Sequence, residues 1–236
     1  GAAAGTGAFL GMSAATWGLI GAIAGITATA ASFGAQLLAK PPPARGSVNQ
    51  LIVETNAVHP YAMGRTYFGG VLRHVASYGP TLDKVPNPYL SRVVVYSGAG
   101  PIDGFEALQV DYGPISAYYS GFLTTSSQLG LCPESTALTA GWSGFPNWTA
   151  NHKLSGQAAA MWNFKFDKNG KVFASGLPQT GAVLRGVKVY DPRLDSTFPG
   201  GSGSQRINDE ATWAYSDNPA LHALTYAYGR YQNGKK

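Results

Sequence analysis

The sequence contains few charged residues and a single cysteine. Charged residues make up 12% of the 236 positions, about half of the quarter that is usual for globular domains. A surface so poor in charge suits burial in an assembly better than exposure as an isolated cytosolic protein. Cys132, the one cysteine, cannot form a disulfide within the chain, and it excludes a zinc or iron–sulfur site built from several cysteines.

Long regular helical patterns are also missing, because 31 glycines and 15 prolines interrupt the chain. Glycine and proline at this frequency exclude a coiled coil or an idealised helical bundle. Without a Gly-X-Y period the chain is not collagen-like. The 10 Phe, 13 Tyr and 5 Trp residues argue against intrinsic disorder. The composition therefore predicts a glycine-rich, predominantly β protein.

The excess of positive charge is mild, since 17 Lys and Arg against 12 Asp and Glu give a net charge of +5. The basic residues are scattered, and their densest group is Arg230, Lys235 and Lys236. A nucleic-acid interface needs a clustered basic stripe. We therefore predict no sequence-specific nucleic-acid partner.

Residues 1–39 contain no charged side chain and form an apolar Gly/Ala-rich segment. The segment exceeds the roughly 20 residues that span a bilayer, and it lacks the basic start of a signal peptide. Small residues four apart, as at Gly7 and Gly11, allow helices to approach closely. The residues leave two interpretations open: a helical segment buried inside an oligomer, or a membrane-active segment. Residues 40–46 hold three consecutive prolines and predict a linker.

Residues 47–205 predict a β-rich region in which short apolar runs alternate with turn residues. Gly69 and Gly70 separate two such runs and indicate a hairpin or a bulge, and the run Asp-Lys-Asn-Gly at 167–170 indicates a turn. Residues 111–150 give no assignment, and 191–205 predict a loop. The runs predicted as strands are 50–55, 65–68, 71–75, 90–96, 104–110, 154–166, 171–174 and 182–190.

Residues 206–236 predict the start of a further structural element with a helix over 217–231. Ser216 or Asp217 can cap that helix, Pro219 suits its first turn, and Gly234 can end it. We expect further chain beyond residue 236 to cover the helix. The residues expected to share its apolar stripe are Ala220, Leu221, Leu224, Tyr228 and Tyr231.

The side chains that usually carry catalysis or bind metals are not arranged for either task. Cys132 lacks the surroundings of a catalytic thiol. Residues 200–204, Gly-Gly-Ser-Gly-Ser, lack the Lys-Ser/Thr of a phosphate loop. The four histidines without a metal-binding spacing are His59, His74, His152 and His222. We predict no catalytic, cofactor or metal site.

Three aspartates near the end of the β-rich region suggest either metal ligation or loop stabilisation. They are Asp191, Asp195 and Asp209. Asp191 begins an Asp-Pro-Arg triplet, which favours a turn, and its distance from Arg193 suits an ion pair that holds the loop. The pattern therefore predicts loop stabilisation rather than a metal site.

Two motifs resemble the tail-tip hub proteins of long-tailed bacteriophages and gene transfer agents, also called tip-attachment or central-fibre proteins. They are Arg185-Gly-Val-Lys-Val-Tyr-Asp-Pro-Arg193 and Trp213-Ala-Tyr-Ser-Asp-Asn-Pro-Ala-Leu221. The runs 61–70, 104–110 and 176–178 and the apolar N-terminus followed by prolines agree with the same family. Members of that family are usually much longer, so the chain resembles their N-terminal portion.

The resemblance implies an α+β, predominantly β fold with an N-terminal apolar helical segment, a C-terminal helix and a trimeric ring assembly. It also implies a virion protein at the tail tip that closes the tail tube, connects it to the host-binding fibre and opens for DNA passage. Its expected partners are two further copies of itself, the distal tail protein, other tail-tip proteins and the tape-measure protein, with the host membrane as a possible contact of residues 1–39. Two alternatives stay open: a membrane-anchored bacterial surface protein and a tail-associated cell-wall hydrolase.

Overall fold

The computed structural model describes residues 51–53, 56–98, 100–174 and 176–229. The predicted apolar segment 1–39 and linker 40–46 lie outside these residues, so their predicted structure is not tested. The described part is predominantly β, with two four-stranded antiparallel sheets and one helix. None of the helices within these ranges has the length and apolar character needed to cross a bilayer.

The first sheet has the strand order β2-β3-β7-β6, with every neighbouring pair antiparallel. Its strands are β2 (Val71–Tyr78), β3 (Tyr89–Ser97), β6 (Leu123–Leu129) and β7 (Ala158–Lys165). The central strands β3 and β7 are buried along almost their whole length. Strands covered on both faces read as continuous apolar runs, and this explains the Ala-Ala-Ala-Met-Trp sequence that opens β7.

The second sheet has the order β1-β8-β4-β5, again antiparallel throughout. Its strands are β1 (Arg65–Phe68), β4 (Ile102–Val110), β5 (Gly113–Pro114) and β8 (Thr180–Val187). Apolar side chains from both sheets form one cluster that includes Trp162, Tyr96 and Leu184. Alternating side chains of each strand therefore meet between the sheets, as in a β-sandwich.

The opposite face of the first sheet is covered by the segment 130–157. Leu138 and Phe145 of this segment pack on Val93 and Met161 in a second apolar cluster. Trp148 supports the covering segment, since its indole N–H donates to the carbonyl of Leu138 at 2.9 Å. This segment contains much of the sequence that gave no assignment, and it buries the second face of β3 and β7.

Of the two alternatives predicted at Gly69 and Gly70, a hairpin or a bulge, the hairpin is wrong, because β1 and β2 belong to different sheets. Gly70 adopts a φ of +80°, and a Cβ there would collide with Val94 and Tyr96 of the neighbouring strand β3. The chain therefore uses a glycine that can adopt positive φ and approach β3 closely as it crosses between sheets.

Other predicted strands are confirmed in part. Residues 65–68, 71–75, 90–96 and 104–110 lie in strands, and β8 covers most of 182–190. The run 171–174 forms a turn instead, because the Asp167 carboxylate accepts hydrogen bonds from the backbone N–H groups of Asn169, Lys171 and Val172. Ile52 makes only an isolated bridge to Val71.

The predicted helix exists as α1 (Pro219–Tyr228), with different ends. Asn218 is the cap rather than Ser216 or Asp217, since its side chain accepts the hydrogen bond of the Ala220 N–H. The helix ends at Gly229, and Gly234 lies outside the described residues. The predicted apolar stripe is confirmed only at Leu221, because the other buried residues are His222 and Thr225, whereas Ala220 and Leu224 are exposed. Tyr231 lies outside the described residues.

One charged side chain is buried between the sheets. Arg92 on β3 is 4% exposed, donates from Nη2 to Thr180 Oγ1 at 3.3 Å, and places its guanidinium 4.6 Å from the centre of the Phe164 ring. Burial lowers the pKa of Arg92 to about 10. The cation is held by a hydroxyl and an aromatic face, which joins the two sheets across the core.

Candidate functional site

The structure brings the two sequence motifs together at the end of β8. Val189 and Ala214 form an antiparallel bridge in which the Val189 N–H donates to Ala214 O at 2.9 Å. The rings of Tyr190 and Trp213 lie 6.2 Å apart, and the Tyr190 N–H donates to Thr225 Oγ1 in α1. The segment 185–229 is therefore one packed unit, called here the motif unit.

The Asp-Pro-Arg triplet at the centre of the motif unit forms the predicted ion pair. The Asp191 carboxylate accepts from Arg193 Nη2 at 2.7 Å, from its Nε at 2.9 Å and from its backbone N–H at 3.0 Å. These hydrogen bonds lower the pKa of Asp191. Pro192 fixes the backbone of the 3₁₀ turn Pro192–Leu194. The prediction of a loop-stabilising Asp–Arg pair is confirmed.

Asp195 is the centre of a second, more deeply buried network. Its side chain is 1% exposed and accepts from Tyr190 OH at 2.8 Å, from Arg206 Nη1 at 3.1 Å, and from both the N–H and the hydroxyl of Thr197 at 2.8 and 2.6 Å. The Thr197 hydroxyl is the main reason why the pKa of Asp195 falls to about 2. Burial, followed by the bond to Asp195, raises the pKa of Tyr190 to about 12. A carboxylate held by this many donors is a structural anion.

The Gly/Ser loop closes over this network by close backbone packing. A Cβ at Gly201 would collide with the carbonyl oxygens of Pro192 and Asp195. The N–H groups of Gly201 and Ser202 donate to Phe198 O and Arg193 O, each at 2.9 Å. Because these donors bond within the protein, the loop forms no phosphate cradle.

The third aspartate has a separate role. Asp209 caps the 3₁₀ turn Glu210–Thr212 by accepting from the Ala211 N–H at 3.1 Å, and it is exposed. No group of three metal-type side chains assembles in the ranges that the structure describes.

The four histidines and Cys132 are dispersed over the described residues, except that His74 and His152 both stack on the Trp148 ring. The His74 ring packs on Phe145 and Trp148 of the covering segment, and His152 Nδ1 accepts from the Thr149 N–H. His59 lies against Gly98. Cys132 precedes a cis proline beside Glu134, whose carboxylate closes the loop by accepting from the N–H groups of 130 and 131.

His222 lies in a groove of about 670 Å³ between the start of β1 and helix α1, beside Asp217. Sequence reasoning missed that Ser216, Asp217 and His222 lie together. They do not form a nucleophilic relay, because His222 Nε2 donates to the Ser216 backbone carbonyl at 2.7 Å and the Ser216 hydroxyl accepts from the Asn218 N–H. The Ser216 hydroxyl and the His222 ring instead bond to backbone groups at the start of α1, and the Asp217 carboxylate accepts from the Tyr215 hydroxyl.

Charged pairs cover the adjacent face of the second sheet. Arg65 Nε donates to Glu106 at 2.7 Å, and Arg185 pairs with Asp103 at 2.6 Å. The Arg185 guanidinium also lies 4.6 Å from the centre of the Tyr215 ring, and the Tyr215 hydroxyl donates to Asp217. The Arg185–Asp103 pair attaches the motif unit to β4, and the Arg65–Glu106 pair joins β1 to β4. The two ion pairs were not predictable from sequence, because their partners are 41 and 82 residues apart in the chain.

Neither the known protein-family models nor the curated proteins include a match to this sequence. Among solved structures, a chain described as "Virion of native gene transfer agent (GTA) particle" is similar, with 15% identity and a TM-score of 0.38. The similarity covers 69% of this chain and 38% of that chain. The present chain therefore matches well under half of that protein, and a similarity of this size does not by itself assign a fold or a function.

Proposed function

We propose that this chain is a structural protein of a phage-type virion, and specifically the hub of a tail tip. In this role it closes the tail tube, connects it to the host-binding fibre and opens for DNA passage. One observation carries the proposal: the two motifs that resemble hub proteins are joined into one motif unit by the Val189–Ala214 bridge and the Tyr190 contacts. The two motifs that carry the resemblance are thus in contact with each other in the folded chain.

The chemistry of the motif unit favours a scaffold over an enzyme. Asp191 and Asp195 both accept several internal hydrogen bonds, and these bonds lower the pKa of each carboxylate. A general base needs a pKa near the working pH, and neither carboxylate has one. We infer that these groups hold the loop rigid and that the chain is not an enzyme.

A surface for self-association lies on the same rigid loop. Leu194 and Phe198 are 46% and 49% exposed on the loop that Asp191 and Asp195 stabilise. Exposed apolar side chains on a rigid support are typical of protein interfaces. We infer that this surface contacts the next copy in a homotrimer. The distal tail protein, other tail-tip proteins and the tape-measure protein are further proposed partners.

The apolar segment 1–39 has a proposed role that follows from its sequence alone. Its 39 uncharged residues would expose a large apolar area in water. We infer that the segment is shielded in the centre of the trimer and is released at infection, when it can contact the host membrane. The prolines at 41–43 would serve as the spacer.

Replacing Phe198 with aspartate is expected to convert the trimer into monomers without unfolding the chain, because a charge placed in the apolar contact prevents its burial. Native mass spectrometry of the purified chain measures the stoichiometry, and circular dichroism monitors the fold. Val58→Asp, at a position that is 83% exposed, is the matched control and should leave the trimer intact.

The same preparations distinguish the hub proposal from its two alternatives, a membrane-anchored surface protein and a cell-wall hydrolase. A wild-type chain that is monomeric would contradict the hub proposal. Recovery in the membrane fraction without virion particles would favour the surface-protein alternative, and clearing of peptidoglycan in a zymogram would favour the hydrolase.

A further inference from the structure

A second groove lies away from the motif unit, at the end of β4. It has a volume of about 410 Å³, within the range of small-molecule sites, about 300–1,000 Å³. Its lining includes Asp111, Tyr118, Tyr119, Lys171 and Gln179. We call it the tyrosine groove.

The tyrosine groove is bordered by a tight turn between β4 and β5 with an unusual backbone. Asp111 and Tyr112 both have positive φ, +50° and +63°. Such two-residue turns favour asparagine and glycine, and an aromatic residue at positive φ is uncommon. Asp111 lines the groove, whereas Tyr112 is 53% exposed and its ring lies 5.4 Å from that of Tyr67. A strained turn that displays functional side chains is often part of a binding site.

Tyr118 provides a rigid aromatic surface in this groove. The side chain is 56% exposed, yet its hydroxyl donates to the Lys171 carbonyl at 2.5 Å. The ring packs edge-on against Tyr119 at 5.5 Å, and Tyr119 stacks on Phe173. The ring is therefore fixed in position before any ligand arrives, which reduces the entropy lost on binding.

Several polar groups around the ring have hydrogen-bonding capacity left over. Asp111 Oδ1 accepts from the Gln179 N–H at 2.9 Å. Asp111 Oδ2, the Gln179 side-chain amide and the Lys171 ammonium make no hydrogen bond to the residues that the structure describes. An acceptor, a mixed donor–acceptor and a cationic donor thus belong to residues that line the same groove as Tyr118.

From this arrangement we propose that the tyrosine groove binds a saccharide unit. A sugar ring has an apolar C–H face that can lie on the Tyr118 ring, and hydroxyl groups at its edge that can donate to Asp111 and bond to Gln179. The Lys171 ammonium can donate a hydrogen bond to a ring substituent, and its positive charge favours a sugar that carries a carboxylate. An acyl chain would leave these polar groups unpaired, at a cost that disfavours it. The proposal stands on this groove alone and does not depend on the hub role.

Saturation-transfer NMR tests the proposal with three probes: cellotriose, chitotriose and trigalacturonic acid. We expect transfer to at least one probe at millimolar concentration, with a dissociation constant about tenfold larger in Tyr118→Ala, equivalent to about 1.4 kcal/mol. Gln179→Ala should also weaken binding, and because the Gln179 amide makes no hydrogen bond to a described residue, this variant should keep its fold. Tyr226→Ala removes a tyrosine that is 70% exposed on α1 and should bind as wild type does.

Three results would overturn the proposal: no transfer to any of the three probes, equal binding by wild type and Gln179→Ala, or an equal loss of binding in Tyr226→Ala. A failure of trimer formation in the mass-spectrometry experiment would leave this result unaffected, so the two proposals fail separately.

Discussion

Replacing Asp195 with alanine is expected to lower the melting temperature by roughly 6–15 °C. The substitution leaves Tyr190 OH, the Thr197 hydroxyl and the Arg206 guanidinium without their shared acceptor. The Tyr190 hydroxyl belongs to a buried residue, and a buried donor that loses its acceptor destabilises a fold by its full desolvation cost. Thermal unfolding followed by circular dichroism measures the change.

The control for this variant lies in the same segment. Asp209→Ala removes an exposed capping carboxylate with one backbone hydrogen bond, and it should lower the melting temperature by only a few degrees, about 1–4 °C. Equal effects of the two substitutions would contradict the central position of Asp195 in the motif unit.

The Asp195 network predicts that the stability of the fold depends on pH. The pKa of Asp195 is lowered from 3.8 to about 2 in the folded chain, so its ionised form favours folding. This stabilisation is fully present above the unfolded pKa and is lost as the pH falls from about 4 to about 2. The difference in melting temperature between wild type and Asp195→Asn should therefore shrink over that interval. A difference that stays constant down to pH 2 would show that ionisation of Asp195 does not matter.

Replacing Trp162 with alanine is expected to lower the free energy of unfolding by about 3–5 kcal/mol. Trp162 is completely buried between the sheets on β7, and its indole N–H donates to Tyr96 OH at 3.0 Å. The substitution leaves a large cavity, and it also removes the donor to a buried hydroxyl. Urea denaturation measures the effect.

Two further variants test whether the loss of stability comes from removing the buried Trp162 ring. Trp162→Phe keeps an aromatic ring and should lower the free energy of unfolding by less, about 1–3 kcal/mol. Tyr226→Ala removes a side chain that is 70% exposed and should change the free energy by at most about 0.5 kcal/mol. A Trp162→Ala loss below that of Trp162→Phe would contradict the packing described for the core.

Local sequence signals located β1, β2, β3, β4, β7 and β8 but missed β5 and β6, and they could not predict how the strands pair. The runs that became β3 and β7 were recognisable from their apolar residues. Which sheet each strand joins depends on contacts across the core, and Gly70 resembles a hairpin glycine until its closeness to Val94 is known. The covering segment 130–157 has no periodic pattern because its fold depends on distant partners, including the Gln128 side chain that bonds to the carbonyls of 153, 154 and 157.

In the motif unit, too, side-chain contacts were predictable between near neighbours in the sequence and not between distant residues. The Asp191–Arg193 pair was predictable because its partners are two residues apart. The Asp195 network depends on Arg206, eleven residues away, so no local pattern indicated a role for Asp195 beyond the choice between loop stabilisation and metal binding. At the start of α1, Ser216, Asp217 and Asn218 are all good caps, and only the path of the chain selects Asn218.

The most direct test of the hub proposal is a low-resolution reconstruction of purified particles in which this chain carries a bound antibody fragment. The account predicts three copies of the fragment, arranged around a three-fold axis at the tip of the tail. Fragment density elsewhere on the particle, or a copy number other than three at the tip, would contradict it.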